Sequence, residues 1–326
     1  MTSRTILKKV LSSLTVGGLM VSILSASALT VSPARAELTA DPGQAISESF
    51  LVINEQDADQ TYYTSVENFE SQGETGTPNF TASKEGLPSW VQVQDKVTLK
   101  KGERAKIQYT ISVPQNADAG GHFAAIFLST VPPSTKEGEV SVGAKVGMLI
   151  LLKVTGNVKE QGGLLTFVVK EGKKMLTSLP VNFAYRFKND GNDRVKPEGS
   201  IVINNTFGME VARIDANKAM GNVLPASIRG FEARFGDVDA PSVAAPFFEQ
   251  VKFQKDNFAL GMYTAHLSLS FGDKGKAESA LTFFILPWQL ISVVAVIVLG
   301  AFLLLAIALK RYNKWIIKQA RAAAKQ

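Results

Sequence analysis

The chain has 326 residues, 45% hydrophobic and 20% charged, with 13 prolines, 26 glycines and no cysteine, which excludes collagen-like, coiled-coil and disulfide-stapled classes and suits about two domains. Its net charge of +6 comes from the ends: residues 1–36 and 310–326 hold ten of the 35 basic residues and no acidic one, leaving 25 against 29 and a net −4 between them. That distribution leaves no basic stripe to follow a phosphate backbone, so no nucleic-acid partner is expected.

The N-terminal segment begins with Arg4, Lys8 and Lys9, continues uncharged over residues 10–32, and reaches Ala34-Arg35-Ala36 just before Glu37. This layout predicts a secretory signal peptide cut after Ala36, an uncleaved N-terminal anchor being the alternative. In either case the following chain is exported. Without cysteine its domains must be held by ordinary cores, and thiol chemistry and cysteine zinc sites are excluded.

Between Glu37 and Phe284 the dominant period is two. Over residues 181–187 Val181, Phe183, Tyr185 and Phe187 alternate with Asn182, Ala184 and Arg186, and residues 263–269 alternate similarly. Alternate side chains of a strand face opposite sides, so each segment has one wet and one buried face. Further strands are expected over residues 50–54, 61–69, 97–99, 106–113, 123–131, 146–154, 164–169, 200–204 and 280–284. Turn chemistry separates them, as at Lys101-Gly102, Asn189-Asp190-Gly191-Asn192 and Asp273-Lys274-Gly275. Residues 148–152 are apolar without alternation, which predicts burial on both sides.

An internal echo predicts a duplicated unit. Gly121-His122-Phe123-Ala124-Ala125 matches Gly261-Met262-Tyr263-Thr264-Ala265, and Val52-Ile53-Asn54-Glu55 matches Phe187-Lys188-Asn189-Asp190. The expected fold is all-β, with two tandem immunoglobulin-like β-sandwich domains, residues 37–158 and 159–285, and a seam near residues 156–163. In this register Tyr263 has the hydroxyl of a tyrosine corner and Phe123 lacks it, so the corner bond is expected only in the second domain.

Residues 286–309 are almost wholly apolar and predict a transmembrane helix, since a run of 20-odd residues crosses a hydrocarbon core of about 30 Å. Trp288 on one side, and Arg311, Tyr312 and Trp315 on the other, suit the membrane interfaces. The basic tail, residues 310–326, places that end in the cytoplasm and the bulk of the chain outside. Lys314, Lys318 and Arg321 recur at helical spacing, so the tail either lies on anionic lipid or serves only as a stop-transfer flank. No Leu-Pro-x-Thr-Gly sorting motif precedes the span.

Searches for chemistry assign no catalytic residue, cofactor or metal ligand, and the chain is read as non-enzymatic. The only histidines, His122 and His266, fall one per repeat, and no Gly-x-Ser-x-Gly elbow, phosphate loop or His-Glu-x-x-His helix occurs. The acidic runs at residues 54–59 and 189–193 carry oxygen donors that calcium takes, but lack the twelve-residue loop ending in Glu and equally suit hairpin turns. Asn79-Phe80-Thr81 and Asn204-Asn205-Thr206 match the N-glycosylation pattern.

Asp41-Pro42-Gly43, Leu87-Pro88-Ser89-Trp90-Val91, residues 97–103, Ile111-Ser112-Val113-Pro114, residues 119–126 and residues 147–152 together resemble, in order, the first extracellular domain of the WxL-interacting protein family of bacterial cell-surface proteins. The resemblance covers about residues 40–155, and the second domain does not obviously match. It implies a surface scaffold contacting peptidoglycan or partner surface proteins. Trp90, Tyr62 and Tyr63 are the aromatic candidates for such a contact, although Val91 and Val93 beside Trp90 favour a packed strand and a core role for it. The competing reading is a secretion or assembly chaperone that binds clients by strand addition, and a cell-wall hydrolase is a third.

Overall fold

The computed structural model describes residues 29–83, 85–132, 144–170, 172–242 and 244–323, with side chains through Ile317. The apolar stretch of the expected signal peptide and the side chains of Lys318 and Arg321 lie outside the described residues.

The first domain is a β-sandwich. One sheet has the order β1-β3-β8-β6, formed by β1 (Leu29–Ser32), β3 (Ala45–Asn54), β8 (Arg104–Ser112) and β6 (Val91–Val93). The facing sheet has the order β2-β10-β9-β4-β5, from β2 (Arg35–Ala40), β10 (Lys145–Val154), β9 (Gly120–Ser129), β4 (Gln60–Gln72) and β5 (Thr77–Thr81). β7 (Lys96–Leu99) extends it against β4, and the short helix α1 (Leu87–Trp90) precedes β6. Alternation along each strand sends Phe50, Val52, Tyr62, Ile107, Ile111, Ile126 and Ile150 into the space between the sheets.

The second domain repeats this plan. β11 (Gly162–Val169), β13 (Val181–Asn189) and β16 (Ile228–Phe235) form one sheet. β12 (Met175–Leu176), β18 (Gly275–Ile285), β17 (Gly261–Phe271), β14 (Glu198–Asn204) and β15 (Glu210–Asp215) form the other, in that order. Its core is strongly aromatic, with Phe183, Tyr185, Phe187 and Phe283 fully buried. The N-terminal strand of each sandwich is split between the sheets: β1 pairs antiparallel with β3 and β2 parallel with β10, as β11 pairs with β13 and β12 with β18.

This split strand moves the start of the first domain. Leu29↔Asn54 through Ser32↔Leu51 are paired in β1 and β3, and Arg35 opens the β2 pairing with β10. The folded domain therefore includes Leu29–Ala36, upstream of the expected start at Glu37, and a cut after Ala36 would remove β1 and shorten β2.

The repeat holds, with one correction of phase. Asn54 and Asn189 end equivalent strands, and both are fully buried. β9 and β17, however, align at Gly120 and Gly261, each the first strand residue and each with positive φ, 126° and 110°. Ala124, Ile126 and Leu128 then correspond to Ala265, Leu267 and Leu269 in the cores. The expected register was one residue off, which exchanges the two faces of a strand. His122, not Phe123, occupies the position of Tyr263. Its Nε2 lies 2.8 Å from Asp118 O, while the Tyr263 hydroxyl is 3.5 Å from Leu260 O. The first domain thus has a corner contact of its own, made by imidazole.

Phe123 points to the opposite face of its sheet, where Phe69, Phe127, Leu149 and Leu151 form a second apolar layer met by Leu224 of the second domain. This explains the absence of alternation in residues 148–152. Met148, Ile150 and Leu152 face the sandwich core, while Leu149 and Leu151 face the domain junction.

After the second sandwich, helix α3 (Trp288–Ala323) follows β18 by two residues, and α2 (Phe247–Asp256), a helix not expected from the pattern, packs beside its start. α3 is one helix long and apolar enough to cross a membrane, over residues 288–317.

Candidate functional site

The aromatic candidates are not brought together as one platform. Tyr62 on β4 is 1% exposed; its hydroxyl donates to Asn54 Oδ1 at 2.8 Å, and burial pushes the phenol above its ordinary pKa. It is a core residue, out of reach of a surface ligand. Tyr63, on the other face of β4, is half-buried beside Lys96 of β7 and Ser129 of β9. Trp90 ends α1, half-buried with its ring 4.7 Å from His122.

The two acidic turns serve structure. Asn54 Nδ2 donates to Ala58 O at 2.9 Å and Lys100 O at 3.0 Å, while Asp57 pairs with Lys101 Nζ at 2.8 Å. Asn189 Nδ2 donates to Asp193 O at 2.7 Å and Val223 O at 2.8 Å. Within that second turn Asn192 clasps the first domain: its carbonyl accepts Gly121 N–H at 2.8 Å and its Nδ2 donates to Ala119 O at 2.8 Å. Gly120 must be glycine here, because a Cβ would stand 2.3 Å from Asn192 O.

Charges close the rest of the junction, and the contacts Glu74–Arg186, Glu37–Arg194, Glu37–Asn222 and Glu160–Asp273 leave no local pattern because their partners lie over 100 residues apart. Glu74 in the β4–β5 turn receives Arg186 Nε at 2.7 Å and Nη2 at 2.5 Å, and its carbonyl accepts Gly230 N–H at 2.7 Å. Glu37 lies 3.0 Å from Arg35, 3.7 Å from Arg194 and 3.1 Å from Asn222 Nδ2. Glu160 holds Lys153 at 3.2 Å and accepts Asp273 N–H at 2.7 Å. Arg229 reaches Asn222 O at 2.8 Å; burial, with Arg35 nearby, lowers its pKa.

All three carboxylates are held below the ordinary 4.5. For Glu37, burial raises the pKa, but the Asn222 hydrogen bond and Arg35, Arg194 and Lys196 outweigh it. For Glu74 the Arg186 hydrogen bond dominates, and for Glu160 the Asp273 N–H does. A depressed carboxylate contributes stability that is present above its unfolded pKa and lost as pH falls through its folded value. Spin labels placed one per domain are therefore expected to keep a narrow distance distribution at neutral pH and to broaden reversibly as pH falls below about 4.5. A distribution unchanged down to global acid unfolding would count against this clasp.

The sheet edges differ in chemistry, and this difference carries the functional question. An edge strand presents unpaired N–H and C=O groups, which natural sheets blunt with charge, proline or brevity. β2 carries Arg35 and Glu37, β5 carries Pro78, β15 carries Glu210, Arg213 and Asp215, and β16 carries Arg229, Glu232 and Arg234. β1, β6 and β12 have four, three and two residues. β11, reading Gly-Gly-Leu-Leu-Thr-Phe-Val-Val, has eight residues with neither charge nor proline. Lys170 N–H donates to Asn182 O at 2.8 Å, so antiparallel alternation turns the N–H and C=O of Phe167 away from β13. Leu165 and Val168 are exposed along this edge. Among the described residues, only β13 pairs with β11 as a strand.

No known family model matches the chain, and no curated protein matches its sequence. Among solved structures it is similar to the class 5 fimbriae chaperone CfaA, at 15% identity and TM-score 0.37 over 80% of this chain and 100% of that one. It is also similar to a chain of the CsuC–CsuE chaperone–tip adhesion subunit pre-assembly complex of Acinetobacter baumannii, at 14% identity and TM-score 0.37 over 78% and 97%. The Escherichia coli chaperone DraB is similar at 11% identity and TM-score 0.34 over 79% and 96%. The β-sandwich assignment rests on the strand pairing described above.

Proposed function

We propose that this chain is a non-enzymatic, membrane-tethered bacterial surface protein that binds an extended segment of a partner protein by adding it as a strand to β11. The edge of β11, free of charge and proline and interrupted only by the register shift between Leu164 and Thr166, carries this reading. An added strand gains affinity from main-chain hydrogen bonds, and the exposed Leu165 and Val168 supply side-chain contacts. Tethering by α3 confines the edge near the membrane, so a weak contact gains from effective concentration. The resemblance to the WxL-interacting family supports the cell-surface setting. Loss of Tyr62 to the core and the packing of Trp90 against His122 favour a protein partner over a wall polymer.

The test uses the full chain in detergent and extended peptides of alternating apolar and polar residues. Binding is expected to slow hydrogen exchange at the Phe167 amide. Leu165→Lys with Val168→Lys is expected to weaken binding by roughly one to two orders of magnitude, since each charged edge position opposes about 1 kcal/mol of cross-strand contact. Both side chains are exposed, so stability should change by no more than about 0.5 kcal/mol. Binding that survives both lysines unchanged would overturn the reading.

Export processing that preserves β1 falls before Leu29, where Ala26-Ser27-Ala28 repeats the small-x-small spacing of a cleavage site. The N-terminal residue of the mature chain is expected to be Leu29; a start at Glu37 would show that the first domain functions without its split strand.

A further inference from the structure

Several exposed apolar side chains of the second domain, apart from those of β11, gather where the chain leaves it. Met262 on β17 is paired with Phe284, four residues before α3 begins, and is bracketed by Thr206, whose hydroxyl donates to Met262 O at 2.9 Å and accepts Met262 N–H at 3.0 Å. The next residue, Phe207, is 83% exposed at the tip of the β14–β15 hairpin. Phe258 and Leu260 precede β17 and are exposed, Phe258 at 60%. α2 is fixed to the first turn of α3 by Gln254, whose Nε2 donates to Gln289 Oε1 at 2.5 Å and whose Oε1 accepts Leu290 N–H at 3.0 Å. Phe247 of α2 lies 6.1 Å from Trp288, and its neighbour Phe248 is 75% exposed.

An apolar patch of this kind on a soluble surface marks an interaction site. Here its position names the occupant. Trp288 opens α3 and is half exposed beside the patch, as an interfacial ring does, and the apolar span runs on from it without a break. We infer that this end of the second domain, α2 with the Phe207 hairpin and the Phe258–Leu260 segment, is seated in the headgroup layer of the outer leaflet, with Phe207, Phe248 and Phe258 dipping toward the acyl boundary. The inference rests on α3 being a membrane span. Interfacial elements of this kind bury their apolar faces about 5–10 Å into that boundary. Such a seat fixes the second domain against the membrane instead of leaving it to swing on a linker, since only Leu286 and Pro287 separate β18 from α3.

The chain has no cysteine, so single cysteines can carry nitroxide labels. Phe248→Cys, Phe258→Cys, Val168→Cys and Val298→Cys would be made in the full chain and reconstituted in vesicles of phosphatidylcholine and phosphatidylglycerol. Collisions with oxygen and with a water-soluble nickel chelate would then be compared. At positions 248 and 258 nickel access is expected to be several-fold lower than at 168, with oxygen access retained, between the values at 168 and 298. Positions 248 and 258 reading like 168 while 298 reads as lipid would overturn the seat and leave the span standing. Loss of access to both reagents at 248 and 258 would mean that protein, such as a second copy, covers the patch, and would also overturn it. An aqueous reading at 298 would overturn the span and the seat together.

Discussion

Phe183→Ala is expected to destabilise the second domain by about 3–5 kcal/mol, the range for truncating a fully buried aromatic ring. Phe183 is 0% exposed and sits between Phe167 and Phe283, with ring centroids 5.8 and 5.6 Å away. These three rings come from three strands, β11, β13 and β18, so no single backbone shift can refill the space left by the lost ring. Against a typical domain stability of about 5–15 kcal/mol, such a loss brings the domain close to unfolding at physiological temperature. Calorimetry on the intact chain is expected to show the second-domain transition lowered by more than about 10 °C, with the first-domain transition nearly in place. Phe183→Leu, which keeps most of the volume, should recover much of the loss. A shift of only a degree or two for the alanine variant would mean that these rings do not form a closed layer.

Asn54→Ala and Asn189→Ala are expected to cost about 2–4 kcal/mol each, because each fully buried amide ties several backbone groups of its turn together and no other side chain replaces it. Removing Asn54 takes a hydrogen bond from the carbonyls of Ala58 and Lys100, the Tyr62 hydroxyl and the Gln56 N–H, while Lys100 O keeps its bond from Glu103 N–H. Removing Asn189 takes a hydrogen bond from the carbonyls of Asp193 and Val223 and from the Gly191 N–H, while Val223 O keeps its bond from Val195 N–H. Aspartate is no substitute, since an ionised carboxylate cannot donate to those carbonyls and its burial is costly. Asn54→Asp should therefore be less stable than Asn54→Ala near neutral pH. Urea unfolding of the three variants is the check: a midpoint for either alanine variant close to that of the parent chain would show that the buried amide is not the partner these turns depend on.

The function proposed for β11 and the seat proposed for the far end of the same domain involve different surfaces. β11 is an edge of the three-stranded sheet, whereas the apolar seat gathers at the ends of β14, β17 and β18 beside α3. A partner strand on β11 and a lipid contact through Phe248 make no competing demand on one residue.

The sequence by itself determined most of the long strands, the long apolar C-terminal helix and the β-sandwich class. These follow from local rules: side chains alternate every second residue in a half-buried strand, glycine and asparagine mark turns, and a long apolar run has no place in a small sandwich core. It also marked the repeated asparagine at the ends of β3 and β13, because the same turn problem was solved with the same residue. Tertiary structure decided what depends on partners far along the chain. β2 is a strand because β10, over 100 residues later, offers it a parallel edge. His122 rather than Phe123 faces the core because the pairing of β9 with β4 and β10 sets its phase, and a one-residue slip in a short motif leaves no trace in composition. Tyr62 was drawn into the core by Asn54 and the facing sheet. α2 exists as the neighbour of α3, with too little apolar periodicity to announce a helix. Period and composition are properties of neighbours in sequence, whereas burial, edge status and ion pairing are settled only when distant segments compete for the same partners.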